Sequence, residues 1–134
     1  MPLVFPIHPR TKARIDSFGL TSVLESSPGL KLLEPQGYLD FLCLTSQARV
    51  IVTDSGGLQE ESTALSVPCL TMRANTERPI TCDGGTGTLI GSDAGTLRES
   101  LEAVLAGKYK KGSCPDLWDG NAAKRITDVL LRGK

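Results

Sequence analysis

The β-branched triplet Val50-Ile51-Val52 is followed two residues later by Asp54-Ser55-Gly56-Gly57-Leu58-Gln59-Glu60-Glu61. This join limits the possible folds more than any other segment. The triplet, bounded by Arg49 and Asp54, predicts a strand. The glycine pair predicts a tight exit into a helix spanning Gly56 to Leu65. The same alternation recurs along the chain. Leu3 to Ile7 reads as a buried strand running into His8-Pro9-Arg10, with Pro9 suited to the first turn of a helix. That helix turns Ile15 and Phe18 inward and stops at Gly19. Leu30 to Leu33 reads as a second strand. It precedes a helix from Gly37 to Ala48 whose apolar side carries Leu39, Phe41 and Leu42. Cys69 to Met72 and Thr88 to Ile90 are two further strands. Strand–helix alternation at this spacing predicts an α/β fold: a parallel sheet with helices on both faces, three layers in a Rossmann-like arrangement. Such sheets bind ligands beyond the carboxyl ends of their strands, so chemistry is sought there.

The last third is simpler. Leu97, Leu101, Val104 and Leu105 form an apolar helical stripe, with Thr96 and Glu99 as a capping box and Gly107 as the stop. Ala122, Ile126, Val129 and Leu130 repeat the stripe behind Asn121 as cap. Lys108 to Gly120 is the exposed connection, and Trp118 is read as packing the last helix down. The 134 residues fit one domain, 1–134, able to bury its own core. With 15 basic and 15 acidic residues, nothing favours nucleic acid or an anionic membrane as partner. No apolar run reaches the roughly 20 residues of a membrane span. Met1-Pro2-Leu3-Val4-Phe5 shows no leader pattern. Cys43, Cys69, Cys82 and Cys114 form no CxxC pair, and His8 is the single histidine. Neither a zinc site nor a disulfide scaffold is expected, and Cys43 and Cys69 read as core. A cytoplasmic protein is the simplest expectation.

Four strings have the composition of a site. In Asp54 to Glu61, the first helical N–H groups are without intrahelical partners and carry partial positive charge, which phosphate oxygens satisfy. Ser55 adds a hydroxyl, Gly56 and Gly57 allow close approach, and Glu61 can accept from two neighbouring hydroxyls, as on a ribose. An ordinary strand–helix turn with a solvated acidic face has the same composition. Arg73-Ala74-Asn75-Thr76-Glu77-Arg78-Pro79 follows the next strand. Arg78 has the fork geometry for a diphosphate, with Glu77 to orient it; a polar surface loop is the alternative. Gln36-Gly37-Tyr38-Leu39-Asp40-Phe41 places a turn and a ring where a base would sit, although Phe41 also suits plain core. Gly84 to Thr88 is a flexible lip or a turn. His8 is a ligand contact or general base, or else a capping residue.

In order and spacing, these strings resemble the non-hydrolysing UDP-N-acetylglucosamine 2-epimerases. The matching phrases are Phe5-Pro6-Ile7-His8-Pro9, Asp54 to Glu61, Thr76-Glu77-Arg78-Pro79, Gly85-Thr86-Gly87-Thr88-Leu89-Ile90-Gly91 and Asp119-Gly120-Asn121-Ala122. The resemblance implies the C-terminal domain of a glycosyltransferase-B-type fold, lacking that domain's first strand. It implies an isomerase that interconverts UDP-GlcNAc and UDP-ManNAc by eliminating UDP to a glycal and adding it back, without nicotinamide, metal or other cofactor. Such an enzyme serves cell-surface polysaccharide biosynthesis. UDP-binding positions carried over are Gln36 and Phe41 near uracil, Ser55, Gly56 and Gly57 at the phosphates, Glu61 at the ribose and Arg78 at the diphosphate. His8 matches a histidine near a second nucleotide-sugar site.

The family's catalytic groups lie ahead of the matched segment, so none is assigned here and no turnover is expected of this chain alone. The expected partners are UDP or UDP-GlcNAc, together with a homo-oligomer or association with a missing N-terminal half. With the first strand absent, the Leu3 and Val50 strands either pair directly or leave a slot for another chain. A free-standing UDP-sugar binding module, a relic that binds nothing and half of a B-type glycosyltransferase are the competing readings. The Asp54 to Glu61 and Thr76 to Pro79 strings weigh against the last.

Overall fold

The computed structural model describes residues 2–133. The chain divides between Cys43 and Leu44 into two compact units. The first holds β1 (Leu3–Pro6), α1 (Pro9–Ser17), α2 (Thr21–Glu25), β2 (Leu30–Leu33) and the start of α3 (Tyr38–Ser46). β1 and β2 are parallel, with Leu3 opposite Leu30 and Pro6 opposite Leu33. Pro9 opens α1, where its missing N–H costs nothing, and His8 caps it: Nδ1 accepts from the Arg10 N–H at 3.2 Å. Gly19, at φ +66°, then turns the chain out of the helix.

The second unit holds β3 (Ile51–Thr53), α4 (Gly56–Ala64), β4 (Cys69–Thr71), α5 (Ile80–Asp83), β5 (Gly87–Leu89), α6 (Ala94–Leu105) and α7 (Ala122–Arg132). Its sheet runs β3-β4-β5, all parallel, with Ile51, Cys69 and Gly87 in register. α4 touches all three strands. β4 is central and buried at every position, and Leu70 is fully enclosed. A side chain of that size contributes about 2 kcal/mol by leaving water. The apolar core of Ile51, Val67 and Cys69, flanked by Ala48, Leu58 and Leu65, is small. Much of the remaining interior is polar: Gln59, Ser62, Thr63, Thr71 and Thr81 are all at 0 % exposure.

The fold is therefore α/β and Rossmann-like, with parallel pairing throughout. Several finer expectations are corrected. The parallel strands form two ladders, β1-β2 in the first unit and β3-β4-β5 in the second, and β1 is not a buried strand: Leu3 and Val4 are 56 % and 40 % exposed. Phe18 and Leu39 face solvent at 67 % and 76 % exposure, and Cys43 is exposed. α6 starts earlier than Thr96. Its cap is Asp93, whose carboxylate accepts from the Thr96 N–H at 2.7 Å and hydroxyl at 2.8 Å. Those bonds, the backbone one first, hold the Asp93 carboxyl below its ordinary range. The α7 stripe exists, but Ile126, Val129 and Leu130 are 59–70 % exposed. An amphipathic pattern fixes which face is apolar, not what covers it. Among the described residues no helix is long and apolar enough to cross a membrane.

Gly84 to Thr88 is not a lip. Gly85, Thr86 and Gly87 are buried. A Cβ on Gly85 would meet the Thr81 carbonyl and the Thr63 side chain. The segment before Cys114 straps this stretch down. The Ser113 N–H donates to the Gly84 carbonyl at 2.9 Å, and Lys110 Nζ donates to the Cys82 carbonyl. The Tyr109 hydroxyl sits 2.6 Å from Thr88 Oγ1 and donates to the Thr86 carbonyl at 3.0 Å. Gly112 lies directly against the Gly85 backbone, where a Cβ would overlap it.

Candidate functional site

The site is built where β3 gives way to α4. Thr53 Oγ1 accepts from the Ser55 N–H at 3.0 Å and fixes the turn. Ser55 is the N-cap of α4, with extended backbone (φ −78°, ψ 129°), yet its hydroxyl makes no capping bond. A serine here ordinarily accepts from the second or third helical N–H. Without that bond, the first-turn donors of α4 have no side-chain cap, and the positive end of the helix is open to an anion.

Arg78 reaches this helix start from the turn after β4. A Cβ on Gly56 would lie 2.5 Å from Arg78 Nη1 and 3.0 Å from Cζ, so only glycine lets the guanidinium rest there. Around Gly57 nothing would come within 4 Å of a Cβ, so this second glycine faces open space. Arg78 is held on two sides. Nε is 2.9 Å from Glu60 Oε2, an ion pair without aligned hydrogen-bond geometry, and Nη1 donates to Glu77 Oε1 at 2.8 Å. Arg73 Nη1 grips the other oxygen of Glu77 at 3.1 Å. These contacts, Glu60 foremost, push the Arg78 guanidinium pKa above its ordinary value. Glu77 is held below the usual carboxylate range by its own backbone N–H first, and by the two arginines.

Glu61 lies farther along α4. Ser55 and Glu61 are six positions apart, roughly 9 Å at 1.5 Å per residue. Glu61 lines a shallow, widely open cleft with Glu60, Ala64 and Trp118. Trp118 therefore borders the α4 face, a role the sequence reading did not give it. The positions read from sequence thus fall into two sets. Ser55, Gly56, Gly57, Glu61 and Arg78 belong to the second unit, and the structure brings Arg78 against Gly56 beside Ser55. Gln36, Phe41 and His8 belong to the first. Gln36 is exposed and donates to the Glu34 carbonyl at 2.6 Å. Phe41 is half-buried on α3, and His8 is exposed as the cap of α1. The sequence reading missed Glu60, which it left in a solvated acidic turn. It also missed Gln59, which is fully buried behind the same turn.

A parallel α/β chain with an uncapped, glycine-opened helix start at a strand exit, and an arginine held against it, has the arrangement by which Rossmann-like sheets present backbone N–H groups and positive charge beyond their strands. Comparison with known proteins goes further. Residues 1–131 match the family described as UDP-N-acetylglucosamine 2-epimerase, and the chain belongs to that family. It is 44 % identical over 132 residues to the UDP-N-acetylglucosamine 2-epimerase of Methanococcus maripaludis, covering 98 % of this chain and 36 % of that protein. The structure of UDP-GlcNAc 2-epimerase from Methanocaldococcus jannaschii superposes with a TM-score of 0.84 at 41 % identity, over 98 % of this chain and 36 % of that one. A second structure of the M. jannaschii enzyme, in complex with UDP-GlcNAc and UDP, gives 0.82 at 41 % identity and the same coverage. The chain thus spans about a third of the length of the relatives it matches.

Proposed function

We propose that this chain is the UDP-holding, C-terminal part of a UDP-N-acetylglucosamine 2-epimerase, a single UDP-binding Rossmann-like domain. The observation that carries the reading is the seating of Arg78 against Gly56, which joins positions 22 residues apart in sequence into one anion-binding corner. The diphosphate of UDP sits on the open first-turn N–H groups of α4, with the Ser55 hydroxyl and Arg78 alongside. Glu61 accepts from the ribose hydroxyls in the cleft bordered by Trp118. Gln36 and Phe41 attend the uracil, and His8 belongs to a second nucleotide-sugar site. In the epimerase reaction UDP departs from the sugar and returns. The corner's task is to stabilise the charge that develops on the leaving diphosphate and to keep UDP bound meanwhile. Fixed N–H dipoles and a pre-positioned guanidinium do both without reorganising.

The groups that act on the sugar come from an N-terminal half, and the assembly, a homo-oligomer or a pairing with that half, works in the cytoplasm. This chain alone therefore binds UDP and UDP-GlcNAc but produces no UDP-ManNAc. Calorimetry with both ligands on wild type and Glu61→Ala tests the assignment. Losing a charged acceptor for sugar hydroxyls weakens UDP on the order of tenfold or more. If millimolar UDP gives neither heat nor a rise in melting temperature, the proposal fails. Formation of UDP-ManNAc by the isolated chain would overturn the claim that it carries only the UDP-holding half.

A further inference from the structure

Gln59 is at 0 % exposure, on the face of α4 that the sheet covers. A buried carboxamide costs free energy unless both of its ends are bonded. Here both are. Nε2 reaches back one turn to donate to the Ser55 carbonyl at 3.3 Å, and Oε1 accepts from the Thr76 hydroxyl at 2.7 Å. The same Thr76 oxygen accepts from the Arg78 N–H at 3.0 Å. A continuous relay therefore runs from the Ser55 carbonyl through Gln59 and Thr76 to the Arg78 backbone. At the far end, the Arg78 carbonyl accepts from the Thr81 hydroxyl at 2.8 Å. The Arg78 backbone is thus held from both directions, while its guanidinium is steered separately by Glu60 and Glu77.

We infer that Gln59 and Thr76 are positioning residues that set the distance between the start of α4 and Arg78, and so the affinity for a diphosphate over a monophosphate. Neither side chain needs to touch the ligand. The relay is uncharged, so it fixes the spacing without adding to the ionic cluster. It links the two strings that local sequence cannot link, because Gln59 and Thr76 are 17 positions apart. A hydroxyl at position 76 is required in two directions at once, as donor to Gln59 and acceptor from Arg78. Serine can supply both bonds and valine neither. The inference rests on the assignment of Ser55 and Arg78 to the diphosphate.

The test uses the full chain as wild type, Thr76→Val, Thr76→Ser and Arg78→Ala. Each is titrated with UDP and UMP by calorimetry and melted without ligand. Thr76→Val is expected to lose about tenfold in UDP affinity but under about threefold in UMP affinity, moving toward the Arg78→Ala profile, while Thr76→Ser stays within about threefold of wild type for both. A Thr76→Val protein that binds UDP as wild type does, while Arg78→Ala weakens it, overturns the inference and leaves the site assignment standing. Equal losses for UDP and UMP, or a Thr76→Ser protein as impaired as Thr76→Val, also overturn it, because the residue would then be serving the fold in general. If Thr76→Val does not fold, the Thr76→Ser ratio of UDP to UMP affinity decides: an unchanged ratio supports the relay and a collapsed one refutes it. Wild type that binds no UDP refutes the underlying site instead.

Discussion

Gly57→Ala separates a ligand-binding reason for the glycine pair from a structural one. The two glycines look alike in sequence and differ in space. Gly56 is a glycine because Arg78 occupies the place of its side chain, with Nη1 2.5 Å from an ideal Cβ. At Gly57 a Cβ would touch nothing within 4 Å, and its φ is not positive, so the empty protein has no need of glycine there. It lies inside α4, where alanine in place of glycine stabilises a helix by about 0.5–1 kcal/mol. For a domain of this size that raises the melting temperature by about 2–5 °C. If a diphosphate rests on the first turn of α4, the same methyl group occupies ligand space and removes one backbone bond to a charged acceptor. The loss is about 1.5–3 kcal/mol, or roughly 10- to 150-fold in UDP affinity. Stability and affinity are thus expected to move in opposite directions in one protein, measured by thermal melting and UDP titration of the same preparation. Gly56→Ala should also lose affinity, but by displacing Arg78, so adding it to Arg78→Ala should cost little more. A Gly57→Ala chain that melts higher and binds UDP within about twofold of wild type would refute the placement of the diphosphate.

Trp118 is the only tryptophan and borders the cleft with Glu61; its emission should shift as UDP saturates the site, and no change at concentrations that calorimetry shows to be saturating would remove it from the nucleoside pocket. Gly112→Ala places a methyl group onto the Gly85 backbone and should cost about 2–3 kcal/mol by chemical denaturation, whereas Gly107→Ala, with open space around its Cβ but φ +69°, should cost less; equal and negligible effects would show that the strap is not close-packed. Asp119 is held down to about 2 by the Asn121 N–H first and by Arg125, whose Nη1 is 2.9 Å away. Its folded value lies below its unfolded one, so this group contributes stability that is present above the ordinary aspartate range near 3.9 and is lost as pH falls through about 2. The difference in melting temperature between wild type and Asp119→Asn should therefore shrink between about pH 4 and pH 2, and a constant difference across that window would show that Asp119 is not paired.

What the sequence made legible was what covalent neighbours decide. Pro9 behind His8, Gly19 and Gly107 as helix stops, and the Val50 triplet running into a glycine turn each act within a few residues, and the structure keeps them. The seating of Arg78 beside Ser55 was also accessible, though less directly. Two parallel strands that are neighbours release their following turns on the same edge, and β3 and β4 are neighbours. Local rules failed where two local patterns overlapped. Asp93-x-x-Thr96 and Thr96-x-x-Glu99 are both cap signatures, and nothing in the string ranks them. The chain takes the first, in which one carboxylate oxygen accepts two bonds from Thr96.

The deeper gap concerns polarity. Periodicity is read by looking for apolar side chains, and α4 shows almost none on its sheet-facing side. Gln59, Ser62 and Thr63 stand at i, i+3 and i+4, a helix face in spacing but not in hydropathy, and all three are fully buried. A polar residue is stable there only if partners from elsewhere in the chain reach it, and those partners are set by tertiary structure. Of the three, Gln59 finds such a partner in Thr76; the Ser62 hydroxyl donates to the Gln59 carbonyl at 3.0 Å within the same helix, and the Thr63 hydroxyl makes no hydrogen bond among the described residues. Hydrophobic burial would hold α4 against the sheet through any adequate set of apolar contacts. A hydrogen-bonded face holds it in one position only, because a slide of an ångström breaks the bonds and leaves the groups unpaired. A helix whose N-terminus must meet a diphosphate and an arginine at fixed distances needs that second kind of attachment. The stretch that looked like a solvated acidic turn is, on its other side, tied to the turn after β4 through Gln59 and Thr76.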